Sequence, residues 1–211
     1  MLFKNTIEPK TLELLIKLQS LSILRNFKLV GGTALALQIG HRKSDDVDLF
    51  SDKEFDVREV LEYLEQKLDF FSDYTSLNTI RGSIDDVKID LICHKYPLVK
   101  EPIVEDGISF LSIEDIAAMK LNAIAGNGTR SKDFIDVYFI LKRFTLPEIL
   151  SFYKKKYAQR NVLHVIKSLI YFDEISTGDW PVMIAEKGLT LSDVKRTIEQ
   201  NVKETSKDFL Q

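Results

Sequence analysis

Two short segments in which aspartates alternate with apolar residues constrain the fold of this chain most strongly. Segment 46–49 carries Asp46 and Asp48, and segment 87–92 carries Asp90 between apolar neighbours. A period of two is typical of β-strands that bury one face. We therefore expect Asp46 and Asp48 on one face of a strand and Asp90 on a second strand. Because an unpaired charge in an apolar setting is costly, the pattern favours a site that uses the three acids together.

A Gly-Gly pair lies upstream of the first acidic segment. The apolar run 27–30 ends at Gly31 and Gly32, and residues 34–39 have a helical pattern, which predicts a strand-to-helix turn. Glycine lets the backbone approach a ligand closely, and the N–H groups at a helix start carry partial positive charge. Such a turn suits a triphosphate. Gly31, Gly32 and Thr33 are therefore candidates for phosphate binding.

The three acids predict a site for divalent cations. Three carboxylates within a few ångströms repel one another, and a bound cation relieves that repulsion. Mg²⁺ prefers oxygen ligands, and a pair of ions stabilises both the attacking and the leaving oxygen. We expect a two-ion site in which Asp46 and Asp48 hold the nucleotide metal. Asp90 would complete the second site and help to deprotonate the attacking hydroxyl. Lys88 shares a face with Asp90 and is a candidate for nucleotide binding.

A longer pattern surrounds these residues. The runs GGTAL at 31–35 and GHRKSDDVDLF at 40–50 resemble the first motif of the AbiEii/AbiGii toxin-type nucleotidyltransferases, members of the polymerase-β-like superfamily. A second block, IEDIAAMKL at 113–121 followed by RSKDFID at 130–136, resembles the later lysine and aspartate motifs of that family in the same order. The resemblance covers roughly residues 25–145.

The resemblance implies transfer of a nucleoside monophosphate from an NTP to a hydroxyl group. It implies that the glycine turn binds the phosphates and that Asp46 and Asp48 bind the metal. Ser44 matches a serine of the family pattern and would contact phosphate, whereas an ordinary turn hydroxyl fits the sequence equally well. Arg42 would pair with a phosphate through its forked donors, although an exposed loop arginine is the commoner case.

The second block yields Lys120 as a candidate catalytic residue. On a helix over 113–125, Lys120 lies in the middle of the apolar stripe, and Glu114 and Asp115 fall on the opposite side. Lysines are almost never fully buried without a partner. Either its ammonium reaches an anion in a cleft or its stem extends along the apolar surface to water. The family places a catalytic lysine at this position.

The last aspartate motif of the family falls on Asp133 or Asp136, and the sequence does not choose between these two catalytic candidates. The same motif adds Arg130 and Lys132 as nucleotide-binding candidates. Without the resemblance, the helix expected over 132–144 would be a solvated face, stabilised by an exposed pair between Lys132 and Asp136.

The order of patterns predicts an α+β fold in two parts. Residues 1–100 are expected to form a nucleotidyltransferase core, a small mixed β-sheet with flanking helices. Residues 101–211 are expected to form a mostly helical lobe that completes the active-site cleft. Extended segments are expected at 27–30, 46–49, 74–81, 87–92 and 104–111, and helices around 12–24, from Thr33, at 57–68 and from Leu191 to Leu210.

The charge distribution bears on partners. A net charge of −3 argues against a general nucleic-acid coat protein. Segment 142–167, however, holds seven lysine or arginine residues and a single glutamate, with aromatic residues interleaved. It could grip an RNA backbone and stack bases. A solvated helical face with core aromatics is the favoured alternative.

The remaining expectations concern setting and acceptor. The sequence has no signal-peptide pattern and no apolar run long enough to span a membrane, so we expect a cytoplasmic protein. The resemblance implies an RNA acceptor, such as the tRNA 3′ end, and a toxin whose antitoxin is encoded nearby. A small-molecule acceptor, as in antibiotic nucleotidyltransferases, and a non-catalytic nucleotide-binding module are the alternatives.

Overall fold

The computed structural model describes residues 1–208 of the chain, with side chains described through Thr205. Its strands are β1 (Lys28–Leu29), β2 (Val47–Ser51), β3 (Phe71–Ser76), β4 (Thr79–Ile84), β5 (Val87–Cys93), β6 (Ile103–Glu105) and β7 (Ile108–Phe110). Its α-helices are α1 (Pro9–Ser20), α2 (Gly31–Ile39), α3 (Val57–Leu68), α4 (Ile113–Gly126), α5 (Ser131–Ile140), α6 (Leu146–Tyr157), α7 (Leu163–Leu169) and α8 (Leu191–Asp208). The predicted α+β class is confirmed. The expected helix end at Leu210 lies outside the described residues.

Contacts divide the chain into two compact units. Residues 1–97 and 101–111 form the first, which we call the sheet unit, and residues 98–100 together with the chain from Ser112 onward form the second, the helical unit. The segment 101–111 therefore contributes a β-hairpin to the sheet. No helix in the part of the chain that the structure describes is both long and apolar enough to cross a membrane.

The sheet unit is built on one seven-stranded mixed sheet in the order β3-β4-β5-β2-β1-β7-β6. The pairs β2–β5 and β1–β7 are parallel, and the other pairs are antiparallel. The predicted single strand over 74–81 is wrong, because Leu77 and Asn78 form a turn between β3 and β4. Asn78 has a φ of 56°, a conformation that asparagine tolerates better than most residues.

One face of the central strands forms the core of the sheet unit. Leu29, Leu49, Leu91 and Ile80 are paired in register across β1, β2, β5 and β4, and all four are fully buried. Each such side chain stabilises the fold by about 1.5–3 kcal/mol relative to exposure. This burial fixes the register, since a slip of one residue would turn the whole row toward solvent. The acids of the alternating segments consequently lie on the other face.

Helix boundaries in the sheet unit follow local signals. α1 begins at Pro9, a residue favoured in the first helical turn, and the Asp56 side chain accepts hydrogen bonds from two N–H groups at the start of α3. The range predicted for α3 agrees with the structure. α2 begins at Gly31 rather than after the glycines, so the Gly-Gly pair forms the first turn of the helix.

The helical unit is organised around α4, which contacts α5, α6 and α7. Glu114 and Asp115, which lie opposite the apolar stripe of the helix, are nevertheless buried. The carboxylate of Glu114 pairs with Lys100 at 2.5 Å, and Asp115 pairs with Lys156 at 2.7 Å. The Ser112 side chain caps the helix by accepting a hydrogen bond from the N–H of Asp115 at 3.1 Å.

The pair of Asp115 and Lys156 ties α4 to α6 and to the preceding segment. Both side chains have at most 1% of their area exposed. The Asp115 carboxylate also accepts hydrogen bonds from the N–H groups of Val99 and Lys100, each at 3.0 Å. Burial raises the pKa of Asp115, but the Lys156 ammonium and these N–H donors outweigh it, so the pKa lies below its ordinary value.

The basic segment 142–167 does not present all its groups to solvent. Tyr153 and Tyr157 are buried, and so is Lys156, while Lys154 and Lys167 remain exposed. The arrangement fits the alternative of a helical surface with core aromatics. That alternative did not include a buried lysine. Lys156 is buried because it pairs with Asp115, which comes from a different helix.

Replacing Asp115 with asparagine should lower the free energy of unfolding by about 3–5 kcal/mol, because Lys156 would remain buried without a counter-charge. Thermal or denaturant unfolding measures the change. Since the pKa of Asp115 is lowered in the folded state, its contribution is present above the ordinary carboxylate pKa and is lost as the pH falls toward the lowered value. The acid-induced loss of stability should therefore be smaller in Asp115→Asn.

Glu62→Gln is the matched control, because Glu62 pairs with Arg58 on an exposed face of α3. It should change stability by no more than about 0.5 kcal/mol. Equal effects of the two substitutions would contradict a structural role for the buried pair.

Candidate functional site

The glycine turn and the Asp48 carboxylate fit against each other. Gly31 has a φ of +69°, and a Cβ atom at this position would lie 2.3 Å from Asp48 Oδ2. Only glycine therefore allows this approach. α2 has no side-chain cap, and its first bond runs from the N–H of Ala34 to the carbonyl oxygen of Val30 at 3.4 Å. The N–H groups of residues 31–33 precede that bond and mark the positive end of the helix.

Three predicted phosphate contacts surround the second glycine. A Cβ atom on Gly32 would lie 2.2 Å from an Arg42 terminal nitrogen and 3.3 Å from Ser44 Oγ. Arg42 is buried, so the alternative of an exposed loop arginine is wrong. The Thr33 hydroxyl is also buried and lies 2.9 Å from Ser44 Oγ and 2.5 Å from the Asp46 carbonyl oxygen. Its side chain therefore holds α2 to the segment before β2.

Two of the three predicted acids are neighbours on the sheet. Asp48 and Asp90 are paired in register on the parallel strands β2 and β5, about 4.8 Å apart in the strand-to-strand direction. Both are half-buried on the face opposite the leucine core. Arg81 Nε lies 3.3 Å from Asp90 Oδ2, and Arg81 is paired with Asp90 in the β4–β5 register. The site thus combines two carboxylates with a cation on an adjacent strand.

Asp46 departs from the expected convergence of three acids. β2 begins at Val47, so Asp46 lies just outside the strand, and its side chain is exposed. Within residues 1–208, no group of three or more histidine, cysteine, aspartate or glutamate side chains is close enough to hold a metal ion. Asp46 does not share the strand register that pairs Asp48 with Asp90. The metal-binding role expected for the three acids stays a prediction.

The second predicted set forms a buried ionic triad within the helical unit. Lys120 Nζ lies 2.6 Å from Asp133 Oδ1 and 2.6 Å from Asp136 Oδ2, and all three side chains are nearly inaccessible to solvent. The alternative of a solvated face for Asp133 and Asp136 is wrong. Lys120 pairs with both acids, so the geometry does not choose between the two catalytic candidates. The triad fixes α4 against α5.

Arg130 and Lys132 lie at the start of α5, beside the triad. Arg130 is the residue before the helix, its side chain is more than half exposed, and its Nε lies 3.8 Å from Asp133 Oδ2. That oxygen is buried and has no hydrogen-bond partner among the described residues. Lys132 is half-buried. The triad carries one more negative than positive charge, and Arg130 is placed to offset the excess.

Arg81 was absent from the residues expected at the site. The predicted strand over 74–81 ended at Arg81, and the sequence assigned no register between it and the strand over 87–92 that would bring Arg81 to Asp90. The signal for the hairpin is Asn78, a residue enriched at positive φ, between two segments with β-forming residues. Lys88 is exposed and two residues before Asp90 on the same face, as predicted.

The chain matches the family model described as nucleotidyl transferase AbiEii toxin, type IV TA system, over residues 22–205. An uncharacterized protein of Aquifex aeolicus (strain VF5) is 36% identical over 168 residues, which are 77% of this chain and 81% of that protein.

Two solved structures share the fold. The crystal structure of JHP933 from Helicobacter pylori has a TM-score of 0.50 at 19% identity, and the match covers 96% of each chain. The solution structure of the antibiotic-resistance factor ANT(2'')-Ia has a TM-score of 0.52 at 15% identity, covering 68% of this chain and 88% of that chain. At identities of 19% and 15%, these similarities show a shared fold and nothing more.

Replacing Gly31 with alanine should displace the Asp48 carboxylate as well as strain the backbone. The left-handed conformation alone costs about 1–2 kcal/mol. Gly107→Ala is the matched control, because Gly107 has a φ of +79° and open space where its Cβ would lie. We expect Gly31→Ala to lose more unfolding free energy than Gly107→Ala. Equal losses would show that Asp48 does not depend on the bare backbone at Gly31.

Replacing Lys120 with methionine should destabilise the helical unit by about 3–5 kcal/mol, because two buried carboxylates would remain without their cation. A triple variant that also carries Asp133→Asn and Asp136→Asn removes the uncompensated charge. It should recover most of the lost stability in denaturant unfolding. A triple variant as unstable as Lys120→Met would contradict the electrostatic account.

Proposed function

Because the chain belongs to the AbiEii nucleotidyltransferase toxin family, we propose that it transfers a nucleoside monophosphate from an NTP to a hydroxyl group of RNA. One observation carries the proposal: two carboxylates, Asp48 and Asp90, lie side by side on adjacent strands, and the first contacts the glycine turn. This arrangement joins a phosphate-binding element to acidic groups within a single unit of the chain.

The triphosphate would bind at the glycine turn. The N–H groups at residues 31–33 begin α2 and offer donors together with the helix dipole. Arg42 adds a buried guanidinium at Gly32, and a planar fork of donors suits phosphate oxygens. Ser44 lies beside the same glycine. The Thr33 hydroxyl already donates a hydrogen bond to the Asp46 carbonyl oxygen. Thr33 would therefore bind phosphate through its backbone N–H only.

Mg²⁺ fits the donor set. It is commonly bound by one or two carboxylates together with substrate phosphates, so a complete protein cage is not required. The contact of Asp48 with bare backbone at Gly31 brings one carboxylate next to the place proposed for the phosphates. Asp48 and Asp90 would hold one or two ions, with Asp46 as a further ligand. When bound, Mg²⁺ would neutralise phosphate charge and stabilise the attacking and leaving oxygens.

The transfer step needs a base and an oriented acceptor. The acceptor oxygen forms a bond to the α-phosphorus, the bond from that phosphorus to the pyrophosphate oxygen breaks, and the hydroxyl proton leaves. Asp90 is the candidate to receive the proton, because it is a carboxylate that neighbours Asp48 without contacting the glycine turn itself. The ion pair with Arg81 keeps the Asp90 carboxylate oriented.

Lys120, Asp133 and Asp136 are proposed to position other groups. Their burial argues against direct contact of all three with substrate. By fixing α4 against α5 they hold the start of α5, where Arg130 and Lys132 stand as candidates for nucleotide binding. We therefore propose a positioning role for the triad in place of the catalytic role expected from the sequence.

The family description, a type IV toxin, supports an antitoxin partner. For the acceptor we propose RNA, such as the tRNA 3′ end. A small hydroxylated acceptor and a non-catalytic module are the outcomes that would replace this proposal.

The test is transfer of label from each of the four NTPs, with Mg²⁺, to total bacterial RNA or to a panel of small hydroxylated compounds. We expect label on RNA. Asp48→Asn and Asp90→Asn should each reduce the rate by about a hundredfold or more, because each removes a charge that the reacting groups require. Chelation of Mg²⁺ should also abolish transfer.

The control is Asp52→Asn, since Asp52 is an exposed aspartate directly after β2. It should leave the rate unchanged. Transfer to small compounds alone would replace the RNA acceptor, and Mg²⁺-dependent NTP binding without transfer to any acceptor would favour the binding-module alternative.

A further inference from the structure

A row of polar side chains extends the site beyond Asp90. Register pairs Asp48 with Asp90, Asp90 with Arg81, and Arg81 with Tyr74, across β2, β5, β4 and β3 in turn. Neighbouring strands are about 4.8 Å apart, so Tyr74 stands about 10 Å from Asp90 along the row. Gly31 lies at the opposite end, against Asp48. The row therefore begins at the glycine turn and ends at an edge strand.

A β-bulge brings a second aromatic residue onto this face. Phe71 pairs with Ser83, and Ser83 pairs with Lys88, which gives a row parallel to the first. The register shifts between Ser72 and Tyr74, so Phe71 and Tyr74 point to the same side although they are three residues apart. In a regular strand this odd spacing would put them on opposite faces. Bulges occur often beside active sites, where they redirect side chains.

These side chains are unusually accessible for their type. Phe71 is 67% exposed and Tyr74 is 54% exposed, although both belong to a strand of the sheet. The Arg81 side chain is 53% exposed, and its guanidinium carbon lies 6.0 Å from the centre of the Tyr74 ring. Lys88 is exposed as well. We call Phe71, Tyr74, Arg81 and Lys88 the acceptor strip.

The chemistry of the acceptor strip matches single-stranded nucleic acid. Exposed aromatic rings provide faces on which unpaired bases stack, and interleaved cations neutralise the phosphates between them. A cationic small molecule would find no favourable charge on Arg81 or Lys88. A small neutral acceptor that reached Asp90 would leave the Phe71 ring uncovered, one row further along the sheet.

The position of the strip suits an acceptor rather than the NTP. In phosphoryl transfer the attacking and leaving oxygens lie roughly in line on opposite sides of the phosphorus. If the leaving pyrophosphate lies at Gly31 and Gly32, the attacking hydroxyl approaches from the far side. The strip lies on the far side of Asp90 from the glycine turn, within the same sheet.

We infer that the acceptor strip binds the 3′-terminal nucleotides of a single-stranded RNA segment. Tyr74 and Phe71 stack bases, and Arg81 and Lys88 contact the intervening phosphates. The inference rests on the proposed function for the identity of the reacting end, and it assigns Lys88 to the acceptor rather than to the NTP.

The test measures binding of a single-stranded RNA to the full chain. The RNA is fluorescein-labelled, of mixed sequence and about eight nucleotides long, and fluorescence anisotropy reports its binding at low salt without NTP or Mg²⁺. Tyr74→Ala and Phe71→Ala should each weaken binding about tenfold, as expected for one lost stacking contact. Tyr74→Trp should retain binding. Arg81→Gln and Lys88→Gln should weaken binding and reduce the salt dependence by about one phosphate each.

Two matched controls share the chemistry but not the place. Tyr171 is 51% exposed and lies in the helical unit, and Arg58 is 88% exposed on α3. Tyr171→Ala and Arg58→Gln should leave RNA binding unchanged. Circular dichroism on every variant checks that the fold is intact.

The two claims fail in different ways. If the wild-type chain transfers label to RNA while the strip variants bind and use RNA as well as the controls do, the strip is overturned and the proposed function stands. If the wild-type chain does not bind the oligonucleotide and transfers label only to small compounds, both the strip and the RNA acceptor of the proposed function are overturned. If the strip variants lose RNA binding but the wild-type chain transfers nothing from any NTP, the proposed function is overturned while the binding strip remains.

Discussion

The parallel pairing of β2 with β5 is the constraint on which the site depends. It aligns Asp48 with Asp90 on one face and Leu49 with Leu91 on the other. Burial of the leucines fixes the register, and the register brings the carboxylates together despite their mutual repulsion. The energy that holds the two acids side by side therefore comes from the apolar core on the opposite face of the same strands.

Two local backbone features flank the paired acids: Gly31 beside Asp48, and the β-bulge in β3. Gly31 lets the Asp48 carboxylate reach the first turn of α2, which any side chain would prevent. The shift between Ser72 and Tyr74 turns two aromatic residues of β3 to the face that carries the acids. The central strands hold the acidic groups, and under the proposed function the two flanks would bind the NTP and the acceptor.

Local patterns in the sequence were sufficient to predict the parts of the structure that bury a regular face. The alternation gave the correct faces for residues 47–49 of β2 and for β5, although it included Asp46, which precedes the strand. A strong amphipathic pattern gave the bounds of α3. The hairpin of β3 and β4 was missed, because a largely exposed edge strand has little apolar alternation to mark it. Its bulge depends on pairing with β4, which no local pattern contains.

Buried charges were the other limit of prediction. The wheel of α4 gave Lys120 an apolar surrounding, which is correct, but its partners come from α5. Lys156 stands in a run of three lysines that indicates a solvated surface, and only packing of α6 against α4 reveals Asp115 as its partner. Such pairs form across elements distant in sequence, so they follow from tertiary structure rather than from periodicity.

The most direct test of the central claim is a crystal structure of the chain soaked with Mn²⁺ and a non-hydrolysable NTP analogue, with the metal located by its anomalous signal. We expect a metal ion in contact with the carboxylates of Asp48 and Asp90, and the analogue's phosphates on the N–H groups of Gly31 and Gly32. A metal and triphosphate bound together elsewhere on the chain, with these carboxylates unliganded, would contradict the central claim.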